Sequence, residues 1–486
     1  MIPGRIPVRS GNGCFSHIAG RATALMLLAS ALGWAQSSTP RPAIQRASDA
    51  EIKKHVDREW LRQNMSELLG HWVEASFYPN GFIQENLDRQ WKPYGEQREA
   101  TVNGQGRQLY TMAIGYEYLH DKRYLDAFVK GDDFLQKMHD DKFGGYFTRV
   151  GPDLKVISDN KDTSVAFVIF ANAHAARAFH DPRYEKIAMD AWHEVKATIM
   201  RPGSPGGMAF NRDFTGPGIA FGRAGANGPG GGGRGGSGGG FAGAPGGGRG
   251  GSGGRGGQGQ AAQGERPVDV HMYEALMALY EQTGSKELLA DLQHQWDLID
   301  KTYNYEVGFL PEGFGGNATN FNTGHLFEWA WQLSRSVELG APQKFIDMGN
   351  RELDLGLKVA YNKPDGGIWM NADINGNVAR KYMIWWNQAE ILRATAHYAI
   401  LHGRSDLWPY FDQSLKFLKA NFLDAQYGGW FEGVIPGSPR EALGERAYIK
   451  GAVDGPEFGS YHQTSMLFDL LRITEPGFQY PKKFKQ

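Results

Sequence analysis

Residues 144–147 read Gly144-Gly145-Tyr146-Phe147, and the signature returns as Gly366-Gly367-Ile368-Trp369 and Gly428-Gly429-Trp430-Phe431. Weaker versions stand at Gly206-Gly207-Met208 and Gly308-Phe309-Leu310. A glycine pair followed by aromatic or branched residues marks a tight turn entering a strand, so each copy predicts a small hairpin. Nineteen residues separate Gly144 from the apolar run opening at Thr163, and nineteen separate Gly366 from Trp385. Equal offsets point to one repeated structural unit.

The helical patterns around these turns come in two kinds. One set is amphipathic with helix-start signals, as in the capping box from Ser48 to Glu51 and the Asp181-Pro182 pair. These predict outer helices near 48–70, 121–139, 181–199, 285–303, 342–360 and 405–421. The other set is more apolar and richer in small residues, near 107–119, 163–179, 270–282, 324–338, 386–401 and 461–473. That composition suits buried inner helices. Six outer helices alternating with six inner ones, with hairpins at the outer-to-inner connections, predict an all-α fold: an (α/α)6 six-hairpin barrel with its mouth at the hairpin end.

The ends and one internal tract fall outside that pattern. Arg5, Arg9 and Arg21 precede an apolar run from Ala22 to Trp34 and small residues around Gly33 and Ala35, the order of a secretory signal. Residues 1–35 are therefore expected to direct export to the periplasm or exterior, and residues 36–486 to form the catalytic barrel. Cleavage after Ala35 removes Cys14, the only cysteine, which excludes disulfide and thiol chemistry from the exported form. The apolar run is short for a permanent span, so no stable membrane insertion is expected. Between Gly216 and Gly264 lies a tract of Gly, Ser, Ala and Gln with Arg223, Arg234, Arg249 and Arg255 but no acid, expected to be a disordered insertion.

With 52 basic and 53 acidic side chains the net charge is −1, which gives no field to recruit nucleic acid. A small, near-neutral partner fits better. Aromatic residues make up 12% of the chain, including 13 Trp, and flat rings serve both core packing and the C–H faces of sugars.

Of fourteen histidines, only His271, His325 and His462 each head an apolar helical run after a Gly- or aromatic-rich stretch; His120, His139 and His402 read as surface residues. Glu274 and Glu328 stand three residues after His271 and His325, on the same helix face, where a carboxylate can accept a ring N–H and raise the imidazole's basicity. A histidine so held is a competent general base near neutral pH. His325 and His462 fall on inner helices 4 and 6, which are not neighbours, so the two rings could face each other across the pocket. Arg107 heads the first inner helix with donors suited to an oxyanion or sugar hydroxyls. Trp385 and Trp386 open the fifth as a stacking platform, with Glu390 one turn below. Two His and two Glu could in principle hold a divalent ion, but no H-E-x-x-H is present and the ligands are dispersed, so no metal and no other cofactor is expected.

At these residues the chain resembles the N-acylglucosamine 2-epimerase family, which includes cellobiose 2-epimerases and aldose–ketose isomerases. The matching stretches are Arg107 to Tyr110, Gly144 to Phe147, His271 to Ala275, Gly324 to Trp331, Trp385 to Glu390, Gly428 to Trp430 and Tyr461-His462, in family order. The resemblance implies an (α/α)6 barrel and cofactor-independent chemistry at C1/C2 of a reducing sugar. It makes His325 and His462 the acid/base pair, His271 and Arg107 contacts to the opened sugar's oxygens, and Glu328 the partner of His325. This chain departs from the family in three places. Pro267 stands where the family has Asn, with Asp269 the nearest polar residue; Asn160-Lys161-Asp162-Thr163 lacks the usual Tyr; and an added loop carries Asp454 and Glu457.

The expectation is an exported sugar 2-epimerase acting on the reducing end of a glucose-type sugar, as a monomer or homodimer. An aldose–ketose isomerase would use the same residues. A six-hairpin glycoside hydrolase or lyase would need paired carboxylates, for which only Asp454 and Glu457 offer themselves. A non-catalytic glycan-binding protein would keep the pocket without turnover.

Overall fold

The computed structural model describes residues 46–94, 99–201, 204, 209–218, 265–311, 321–448, 450 and 460–475. The export signal read at 1–35, most of the Gly-rich tract, and Asp454 and Glu457 lie outside the described residues. Among the described residues no helix is long and apolar enough to cross a membrane.

Among the described residues thirteen α-helices follow in order: α1 (Asp49–His55), α2 (Arg58–Ala75), α3 (Val102–Leu119), α4 (Lys122–Gln136), α5 (Val165–Phe179), α6 (Pro182–Thr198), α7 (Val270–Thr283), α8 (Lys286–Thr302), α9 (Thr323–Glu338), α10 (Lys344–Val359), α11 (Trp385–Leu401), α12 (Trp408–Asn421) and α13 (Tyr461–Thr474). The odd-numbered helices from α3 to α13 are the inner six. Each packs on the next, and α13 returns to α3, so the ring closes. Helices α2, α4, α6, α8, α10 and α12 pack outside as their partners, and the short α1 lies against α12.

Local chemistry explains why α1 and four of the outer helices start where they do. Ser48, Asp57, Asp121, Asp181 and Ser285 each accept a hydrogen bond from a backbone N–H in the first turn that follows, supplying partners for otherwise orphaned donors. Inner helices are buried on nearly every face; α11 buries every residue from Trp385 to Ile400. Such helices have little amphipathic signal and owe their position to neighbours on all sides.

The connections differ from the hairpins that the glycine pairs predict. Within a connection the return is usually a single bridge, as between His139 and Tyr146, Tyr361 and Ile368, or Leu423 and Trp430. Most two-residue strands pair between successive connections: Ala100–Thr101 with Arg149–Val150, Lys161–Asp162 with Ala209–Phe210, Phe321–Asn322 with Asn371–Ala372, and Met383–Ile384 with Gly433–Val434. One genuine local pair joins Arg149–Val150 to Val156–Ser158. The limb that leads into an inner helix lies beside the next connection, because adjacent inner helices are neighbours in the ring. Gly216–Gly218, assigned above to the insertion, instead belong to the barrel: Pro217 bridges Phe210 and the Gly218 N–H bonds to Ala209.

Two of the glycine turns are clamped in the same way. Asp140 and Asp424, four residues before their glycine pairs, each meet a buried lysine and an arginine from the following connection. Lys161 Nζ lies 3.3 Å from Asp140 and Arg212 grips the same carboxylate at 2.7 and 3.1 Å. Lys450 Nζ lies 2.9 Å from Asp424 and Arg89 grips it at 2.8 and 3.0 Å. The second clasp joins the last connection to the first, with help from Trp91 Nε1 donating to the Tyr427 carbonyl. The cations hold both carboxyls below the usual carboxylate range despite their burial.

Candidate active site

The hairpin end places the first turns of the inner helices around one spot. Asp269 caps α7, accepting from the N–H groups of His271 and Met272, and so fixes where His271 begins. Arg107 is buried at the second turn of α3, not solvated at the surface. Its guanidinium lies between the Phe167 and Tyr461 rings, 4.4 and 4.8 Å from their centroids. Nη1 stands 3.4 Å from His462 Nε2, and Nη2 stands 3.2 Å from His271 Nε2.

That contact pattern sets the tautomers. A guanidinium only donates, so both Nε2 atoms must be lone-pair acceptors and any ring proton must sit on Nδ1. On His462 that Nδ1 lies 2.7 Å from Glu390 Oε1, an orientation a carboxylate acceptor completes. Burial first, and Arg107 second, hold both imidazoles well below the ordinary histidine range. Two neutral bases therefore flank one fixed cation.

His325 completes the cluster. Its ring centroid is 6.0 Å from that of His271 and 5.3 Å from Trp386, while His271 and His462 are 6.5 Å apart. Glu328 lies fully buried with Oε1 3.9 Å from His271 Nε2, and neither carboxylate oxygen has a hydrogen-bond partner among the described residues. Burial and the Glu390 carboxylate push the Glu328 carboxyl well up, and His325 opposes them. Potential ligand atoms of His271, His325 and Glu328 all fall within 4.8 Å of one another. The donor set alone would suit a divalent ion, but the Arg107 guanidinium occupies the His271 Nε2 lone pair and repels a second cation, so the fit is poor.

The structure corrects two expected contacts. Glu274 does not serve His271: its carboxylate receives Arg393 Nη2 at 2.9 Å and the Tyr461 hydroxyl, because the His271 ring nitrogen turns towards Arg107 and Glu328. Trp386 is buried, and His462 stacks on its face at 4.9 Å and 26°, so the platform expected for sugar carries an imidazole. Trp385 is also buried, edge-on to the same imidazole at 5.8 Å. Glu390, expected as a substrate-binding residue one turn below the platform, receives His462 Nδ1 at 2.7 Å. Neither His139 nor His402 is a plain surface residue: His139 bonds Glu194 and His402 bonds Ser334.

Sequence reasoning missed Arg393 and Asp469, and gave Tyr461, quoted with His462, no role of its own. Charged residues on inner helices buried throughout were the available signal, since a buried charge requires a partner.

Comparison with known proteins agrees with this architecture. The family model for N-acylglucosamine 2-epimerase (GlcNAc 2-epimerase) matches residues 81–223 and 258–440, a span that includes every site residue above except Tyr461, His462 and Asp469. No curated protein matches the chain. Among solved structures, the cellobiose 2-epimerase from Spirochaeta thermophila superposes with a TM-score of 0.66 at 19% identity, covering 86% of this chain and 96% of that one. A sugar epimerase from a ruminal bacterium gives 0.66 at 18%, over 86% and 98%. A D-mannose isomerase gives 0.63 at 14%, over 86% and 98%. At such identities the likeness is one of fold, and the family assignment stands on the sequence match. By that match across two thirds of its length, the chain belongs to the N-acylglucosamine 2-epimerase family and is a carbohydrate epimerase or isomerase.

Proposed function

We propose that this protein is an exported sugar 2-epimerase that inverts C2 at the reducing end of a glucose-type sugar with His325 and His462 as its two bases. Inversion through a planar intermediate requires a proton to leave one face and return to the other. Once the sugar ring opens, one imidazole takes the C2 hydrogen as a proton, its electron pair passes to the carbonyl as an enediolate, and the other imidazole returns a proton to C2. Arg107 stands where its donors can steady the enediolate oxygens, and His271 contacts the same oxygens.

The observation that carries this reading is the Arg107 bridge to His462 and His271: its donors keep both Nε2 atoms unprotonated, and a sugar oxygen that draws the guanidinium to itself frees those lone pairs to take a proton. The glutamate under His462 supports the same role. A proton returned to C1 instead of C2 would make the protein an aldose–ketose isomerase with the same groups.

The test is incubation with a panel of reducing sugars in D2O followed by proton NMR. Deuterium at C2 of a new epimer supports the reading. Label at C1 of a ketose or aldose replaces it with isomerisation, and glycosidic cleavage or mere binding overturns it. His325→Ala and His462→Ala should each abolish exchange while the helical circular dichroism stays intact; full activity in either removes the two-base assignment.

A further inference from the structure

One buried guanidinium, on α11, reaches side chains of three other inner helices. Arg393 of α11 donates to Glu274 of α7 at 2.9 Å, and lies 3.7 Å from Glu390 on its own helix and 3.8 Å from Asp469 of α13. It sits 3.3 Å from the centroid of the Trp331 ring on α9. Trp331 in turn donates its Nε1–H to Asp469 at 2.7 Å. Arg393, Glu274, Glu390 and Asp469 are all buried.

We propose that Arg393 is a positioning residue for the proton-transfer centre: set against Glu274, Glu390 and Asp469, its guanidinium holds Glu390 in the anionic, hydrogen-bond-accepting form that fixes the His462 ring and tautomer. The inference rests on the two-base reading above and deepens it.

The chain of contacts has a direction. Arg107 forces His462 Nε2 to accept, so Nδ1 must donate, and Glu390 Oε1 must be able to receive. A protonated Glu390 could instead turn its O–H towards Nδ1 and move the ring proton to Nε2, which would then abstract nothing. Around Glu390 stand Glu274 from α7, Glu328 and His325 from α9, and Asp469 and His462 from α13, with Arg107 of α3 beyond His462. Three of these are carboxyls. Burial pushes the Glu390 carboxyl up, Arg393 is the strongest influence pulling it back, and Asp469 raises it again. Arg393 is a permanent cation 3.7 Å from Glu390, whereas burial keeps His462 from holding a second proton and Arg107 is engaged with His462 and His271.

The deciding experiment compares wild type with Arg393→Met and Arg393→Lys in two readouts: the pH dependence of kcat and KM for C2–H exchange, and nitrogen-15 NMR of the His462 ring, assigned by its loss in His462→Gln. In Arg393→Met, kcat at pH 7 should fall about 100-fold with KM changed by less than about 3-fold, and most of the loss should return by pH 9 as Glu390 ionises. Its His462 proton should leave Nδ1 at pH 8, where the wild-type Glu390 carboxyl, raised to about 7, is still ionised. Arg393→Lys restores a charge without the fork, so its acid limb should lie between the other two. A kcat loss equal at every pH, or an Nδ1 proton retained in Arg393→Met, overturns the proposal. If Arg393→Met fails to fold, an Arg393→Lys acid limb identical to wild type overturns it by itself. A wild-type protein that exchanges no C2 hydrogen in any sugar sinks the two-base reading and leaves the NMR comparison to judge Arg393 independently.

Discussion

His462 Nδ1 lies 2.7 Å from Glu390 Oε1, and the imidazole so held stacks on Trp386. Ring plane and tautomer are both fixed, one by the indole and one by the carboxylate. Glu390→Gln keeps the shape but not the charge, and an amide can present its N–H₂ to Nδ1 and reverse the tautomer. Steady-state exchange should show kcat lowered about 100-fold with KM little changed. A loss confined to KM would mean that Glu390 binds sugar instead.

Gly324 precedes His325 on α9, and a Cβ there would come within 2.1 Å of Trp386 Cζ3. The indole cannot retreat, since it is buried between the two histidines. Gly324→Ala should therefore cost stability by about 1–3 kcal/mol and shift both rings, cutting exchange more than it lowers the melting temperature would suggest. Thermal unfolding and kcat measured on the same preparation check this.

Glu85 is buried beside the start of α3, where it accepts from Thr101, and burial raises its carboxyl to about 8. Its folded value exceeds the unfolded one, so the native state holds the proton more tightly, and stability falls as pH rises from about 4.5 through 8. Glu85→Gln removes that dependence. The variant should match wild type near pH 4 and exceed it at pH 9, by on the order of 4 kcal/mol in denaturant titrations. Equal slopes with pH would refute the assignment.

The Asp140 and Asp424 clasps act in the opposite sense. Both carboxyls titrate below their unfolded values, so their contribution is present above about pH 4 and is lost as pH falls further. Asp424→Asn should lower the melting temperature at pH 7 and flatten its decline between about pH 4 and pH 2. Because Arg89 joins the last connection to the first through Asp424, hydrogen exchange should rise in residues 85–94 of the variant.

A chelator should leave exchange activity unchanged, and added zinc should compete poorly for His271, because Arg107 already donates to its Nε2. Activity lost with EDTA and restored by a divalent ion would overturn this.

The twelve barrel helices could be read from the chain, the outer ones by their period and the inner ones by their continuous apolar, small-residue runs, but the first outer stretch, expected as one helix over 48–70, is split into α1 and α2 at Val56 and Asp57. Capping residues such as Ser48 and Asp181 also mark starts locally. The three histidines could be read for a related reason: each follows an outer-to-inner connection, and connections of one kind gather at one end of the barrel. Partner choice could not be read. Spacing of three residues put Glu274 beside His271 on one helix face, yet Glu274 joins Arg393, which lies 119 residues away.

Sequence alone thus determined the architecture, the end that carries the site and the residue types within it, since these follow from periodicity and local capping. Tertiary structure alone decided that Glu390 backs His462, that Trp386 supports an imidazole, and that Arg393 sits among carboxylates from three helices. Buried charges are satisfied by whatever the closed ring brings within a few ångströms, and that distance is set by packing across the barrel.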